Sequence, residues 1–149
     1  MLGSPAFVDG GSLPDIYNDA YSEVSPPLWW GESPKGAHTI VIIADRPEAP
    51  GAPVYHWLAY NIPTRFTGIP ENALVPETEH PYAPKFGLNS WAAEHWTGTA
   101  AAPQSGRLRF RVFAIKGYLN FDEAPDAAAI FMAIDGRVVD YTEVYANCD

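Results

Sequence analysis

Fifteen prolines and twelve glycines are scattered through 149 residues, and that punctuation argues against a helical bundle before anything else is weighed. Proline removes a backbone donor and breaks a helix interior, and glycine weakens one. Between these residues lie short runs rich in β-branched and aromatic side chains, so the pattern predicts a mostly β domain with structured loops. Candidate strands are His38–Ala44, Val54–Asn61, Leu108–Lys116 and a piece near Val138–Tyr145. Strict alternation along the second places Val54, His56, Leu58 and Tyr60 on one face and Tyr55, Trp57, Ala59 and Asn61 on the other. Both sets are substantially apolar, which predicts a strand covered on two sides. Residues 63–106 show little periodicity and form a long loop-rich region of the kind that is usually functional or ligand-adjacent. One helix is predicted, with Asp122 as its cap, Pro125 in its first turn, an apolar face of Ile130, Phe131 and Ile134, and Gly136 at its end.

A chain this long is the size of one domain, spanning 1–149, and large enough to bury about 70% of its unfolded surface. The net charge of -9 argues against a nucleic-acid binder or a protein drawn to anionic membranes, because either needs a basic face. Arg107, Arg109 and Arg111 alternate and so share a strand face. Ordinary surface statistics favour a solvated outer face over an anion-binding stripe there. A single cysteine, Cys148, allows no intrachain disulfide. No integral membrane segment or leader pattern is visible, so a cytoplasmic location is expected.

The stretch from Arg46 to Trp57 carries the most chemical information. An apolar strand enters a proline-braked turn holding Glu48, and a second strand leaves it carrying His56. Two chain ends held by a sheet bring Asp45, Arg46 and Glu48 within reach of that imidazole. Taken alone, a histidine between Tyr55 and Trp57 is more often a satisfied core residue than a catalytic one. The four histidines lack metal-ligand spacing, and there is no nucleophile elbow, phosphate-cradling loop or dinucleotide fingerprint. Neither a metal nor a cofactor is implied.

Several segments in order resemble the phosphatidylethanolamine-binding proteins, and most closely their bacterial Raf-kinase-inhibitor-like branch. Arg46-Pro47-Glu48-Ala49-Pro50 followed by His56-Trp57 resembles that family's Asp-Pro-Asp-Ala-Pro and His-Trp signature. Ser4 to Pro14, Ser25-Pro26-Pro27-Leu28-Trp29-Trp30, Tyr60-Asn61-Ile62-Pro63 and Gly87-Leu88-Asn89-Ser90-Trp91 are similar to further segments of it. The resemblance implies a large antiparallel sheet with a smaller sheet and a C-terminal helix. It also implies a small anion cavity built from the acidic turn, the histidine, a glycine-proline loop and a His-Arg-Tyr segment.

Carried over position by position, the first aspartate falls on Arg46, the second on Glu48, and the histidine is kept as His56. An insertion would instead put Asp45 in the first place; the ungapped register keeps both prolines and the distance to His56. The loop falls on Gly98-Thr99 and the His-Arg-Tyr segment on Gly106-Arg107-Leu108, while Trp91 and Trp96 fall near the rim. Arg46 then either binds an anion with the help of His56 or pairs with Glu48 or Asp45 and fills the space. The resemblance implies a non-enzymatic binding protein for a small anionic or phosphorylated, head-group-like ligand. The alternatives are an altered pocket in a protein that acts through protein contacts or self-association, and a hydrolase using His56 and Glu48. Members of the bacterial branch can be dimers, so a homodimer is compatible with the resemblance.

Overall fold

The longest apolar run becomes the centre of the sheet. In the computed structural model, which describes residues 2–19, 22–49, 53–73, 84–98 and 106–148, β2 (Thr39–Arg46) is buried along its whole length. It pairs antiparallel with β3 (Val54–Pro63) on one side and β6 (Arg107–Ile115) on the other. β5 (Lys85–Phe86) and β7 (Val138–Asn147) complete a five-stranded sheet in the order β5-β3-β2-β6-β7. A two-stranded sheet pairs β1 (Leu28–Trp29) with β4 (Gly68–Ile69). The mostly β architecture, with a large and a small antiparallel sheet, is the one expected. Each long strand extends one or two residues past at least one predicted end.

Both faces of the large sheet are covered. On one, Ile40, Ile42, Ala44, Trp57, Leu108 and Phe110 pack under Leu2, Phe7, Leu13, Tyr17 and Trp30 of the N-terminal region. Tyr17 belongs to a short helix, α1 (Asp15–Asn18). On the other, Val41, Ile43, Leu58, Tyr60, Phe113 and Ile115 pack under Ile130 and Ile134 of α2 (Ala127–Ile134). The start of α2 differs from expectation. Asp126, not Asp122, is the cap, accepting from Ala129 N–H at 2.9 Å. Pro125 lies outside the helix, where its carbonyl accepts from Leu88 N–H. Gly136 does follow the helix end, at φ 77°.

Two bulges in β3 correct the predicted alternation. Ala44 pairs with Trp57 and Asp45 with Tyr55, so His56 is an extra residue with no partner on β2. A bulge bends the strand and re-aims side chains. Tyr55, Leu58 and Tyr60 therefore join the α2 face, while Trp57 and Ala59 join the other. A second shift, between Ile40 and Ile42, leaves Asn61 in the left-handed region at φ 59°. Its buried amide donates to Leu119 C=O and accepts from Leu119 N–H at 2.7 and 2.8 Å, fixing the loop after β6.

Candidate functional site

Side chains alternate along β2, so Asp45 and Arg46 leave on opposite faces. Asp45 follows Ile43 toward the α2 side and is 1% exposed. Arg109, opposite it on β6, donates from Nε at 3.0 Å and Nη2 at 2.8 Å, and Arg111 Nη2 adds a third contact at 3.2 Å. Two guanidiniums thus balance one buried carboxylate, the arrangement such a charge requires. Arg111 also lies 5.1 Å from the Phe131 ring of α2. Arg107 instead stacks on Tyr145 at 4.3 Å and donates to Glu48 at 2.6 Å, in a pair exposed by about half on each side. At Arg109 and Arg111 the row is therefore not a free solvated face, because both guanidiniums hold the buried carboxylate of Asp45, whereas Arg107 is half exposed and holds the exposed Glu48. Those carboxylates are the two suggested as partners for Arg46.

Arg46 points with Ala44 toward the N-terminal side and is 3% exposed. Gly106 lies against it: a Cβ there would sit 3.4 Å from Arg46 Nη2. The backbone of Gly106 is at φ 144°, a conformation that disfavours other residues. The charge of Arg46 reaches His56, which is wholly buried. The imidazole rests 5.0 Å from the Trp91 ring and 6.2 Å from Trp96. Nδ1 donates to Thr97 C=O at 2.8 Å, since a carbonyl is only an acceptor. That contact fixes the tautomer and leaves Nε2 as a lone-pair acceptor, and Nε2 is buried with no hydrogen-bond partner among the described residues. Burial pushes the imidazole pKa down to about 4; the Thr97 carbonyl opposes this and the Arg46 charge adds to it. His56 is neutral at pH 7.

One residue outside the selected set organises the surroundings. Asn89 donates from Nδ2 to His56 C=O at 3.1 Å, His95 C=O at 2.9 Å and Thr97 Oγ1 at 2.8 Å. Its Oδ1 accepts from Trp91 N–H and Ala93 N–H. The segment carrying both tryptophans is thereby tied to the bulge that presents His56. Gly-Leu-Asn-Ser-Trp was the available signal, though the asparagine's role was not evident from it. Gly98 fits against α1, where a Cβ would stand 1.7 Å from Asp19 O.

The candidate residues therefore divide. Arg46, His56, Gly106, Trp91 and Trp96 gather on the N-terminal side of the sheet. Asp45 faces the other side, and Arg107 with its partner Glu48 is also engaged away from His56. Thr99 lies outside the described residues. The open hollow expected between Arg46 and His56 is corrected: both groups are buried, and the two tryptophans pack on the imidazole.

Comparison with known proteins bears on this geometry. The phosphatidylethanolamine-binding protein family model matches residues 3–149. A UPF0098 protein of Archaeoglobus fulgidus is 33% identical over 94% of this chain, which spans only 48% of that relative's length. Another, from Methanothermobacter thermautotrophicus, is 30% identical over 93% of this chain and 91% of its own. The fold matches a phosphatidylethanolamine-binding protein homologue from Chlamydia trachomatis with a TM-score of 0.86 at 23% identity, covering 99% of this chain and 95% of that one. Escherichia coli YbcL matches with a TM-score of 0.84 at 22% identity, covering 99% and 96%. The chain belongs to the phosphatidylethanolamine-binding protein family.

Proposed function

We propose that this protein is a non-enzymatic binder of a small anionic, phosphorylated ligand at Arg46 and His56. The observation that carries the proposal is the buried Nε2 lone pair of His56, which has no donor among the described residues and which the charge of Arg46 reaches. A buried acceptor left unmatched costs about 1–3 kcal/mol, which a ligand donor would recover. The Nε2 lone pair asks for a protonated oxygen, and the positive charge that reaches it from Arg46 favours an occupant that is also negatively charged. A phosphomonoester with a second pKa near 6 presents both around neutral pH.

The chemistry of the groups supports binding rather than turnover. With its pKa near 4, His56 is a weak base at neutral pH. Its Nδ1 is held by Thr97 and Glu48 by Arg107, so no base-and-orienter pair joins them. The second reading, a closed pocket in a protein that works through protein contacts, is favoured by one observation: Arg46 and His56 are only 3% and 0% exposed. Titration with phosphate, phosphoethanolamine and nucleotides by calorimetry separates the two. Saturable binding lost in both Arg46→Met and His56→Phe supports the first, and no binding at millimolar concentration leaves the second.

A further inference from the structure

On the same side of the sheet, beyond Trp57, the loop after β3 folds back past β4 and encloses a cavity of about 340 Å³ against β5. That is within the ordinary range for small-molecule sites, which start at about 300 Å³. Ile62, Phe66, Ile69 and Phe86 supply apolar walls. The lining includes three polar side chains, those of Trp57, Arg65 and Lys85. All three are donors, and none carries an acceptor. The Trp57 indole N–H is buried without a partner among the described residues. Arg65 lies 5.0 Å over the Phe66 ring, and neither it nor Lys85 forms an ion pair among the described residues. Lys85 also borders an adjoining cleft with Glu94, Asp122 and Glu123, whereas Arg65 lines only the apolar cavity of the two.

Among the described residues the cavity has hydrocarbon walls and donor-only polar groups, and these select its occupant on two counts. The walls favour an apolar body, and the donors favour a head group made of acceptors. In a chain of net charge -9, two cations beside one apolar hollow are not explained by overall composition. We propose that this cavity is a second binding site, for an amphipathic monoanion: an apolar body against Ile62, Phe66, Ile69 and Phe86, with a carboxylate head held by Arg65 and Lys85. This site is independent of Arg46 and His56.

The test is calorimetric titration with sodium decanoate below its micelle concentration, alongside decanol and sodium acetate, with tryptophan emission as a second readout because Trp57 lines the cavity. Decanoate should saturate, bind at least about tenfold tighter than decanol, a difference of about 1.4 kcal/mol, and bind far tighter than acetate. Arg65→Ala with Lys85→Ala should remove the preference for decanoate over decanol while leaving decanol binding in place. Ile69→Trp, which fills the cavity from its wall, should abolish both, and His56→Ala should leave both unchanged. Equal affinity for decanol and decanoate, retention of decanoate binding in Ile69→Trp with its fold intact by circular dichroism, or no binding up to millimolar decanoate would each overturn the proposal.

Discussion

Asp45 and Arg46 are consecutive on one strand, yet they face opposite sides of the sheet and stand in contrasting surroundings. Toward α2, the Asp45 carboxylate is met by two arginines from the neighbouring strand, so charge is balanced within the fold. Toward the N-terminal region, the charge of Arg46 reaches a neutral imidazole whose second nitrogen has no donor among the described residues. Burial alone does not mark a binding site, because Asp45 is as buried as His56. What separates the two sides is that the buried carboxylate of Asp45 is met by two guanidiniums, whereas among the described residues the Nε2 lone pair of His56 is met by no donor.

The sharpest way to break that contrast is Asp45→Ala. It strands two partly buried guanidiniums, and urea unfolding should show a loss of about 4 kcal/mol. A loss below about 1 kcal/mol would mean that water solvates the arginines and that the α2 side is not internally balanced.

Acid should expose the other side. The pKa of His56 is about 4 in the fold, against 6.5 for the ordinary side chain. Because the folded value is lowered, the unfolded chain takes up the proton first as pH falls. The contribution is therefore intact above about pH 6.5, declines below it and levels off near pH 4, for a total of about 3 kcal/mol. Comparing the stability profile of the wild type with that of His56→Gln isolates this term; parallel profiles between pH 4 and 6.5 would contradict it.

Trp91→Ala uncovers one side of the imidazole. Since burial is the largest cause of the lowered pKa, the variant should raise it from about 4 toward its ordinary value in a proton-resonance titration, and an unchanged value would assign the burial to Trp96 and the bulge. The smallest effect is expected at Arg107→Ala. Its pair with Glu48 is half exposed, so the loss should stay below about 1 kcal/mol and shrink further in salt.

The strands were legible because β-branched runs between prolines have few other ways to fold. The two-sided cover of β3 was legible for the same reason. Its facing was not, because the bulge at His56 reflects how β3 meets β2 and the loop tied by Asn89, and alternation cannot register an inserted residue. Arg107, Arg109 and Arg111 were correctly placed on one face by their spacing. The role of Arg109 and Arg111 depends on Asp45, which lies 64 positions from Arg109, and such a pairing leaves no local pattern. The helix was found from its apolar spacing but started too early, because Asp122 and Asp126 are both competent caps and the contact of Pro125 with Leu88 decides between them.

The most direct test of the site is nitrogen NMR of the His56 imidazole at pH 7 during a phosphate titration. The expected result is a neutral, Nδ1-protonated ring whose Nε2 resonance moves saturably with phosphate in the wild type and stays still in Arg46→Met. An Nε2 resonance unmoved at millimolar phosphate, or already that of a hydrogen-bonded or protonated nitrogen in the free protein, would contradict the assignment.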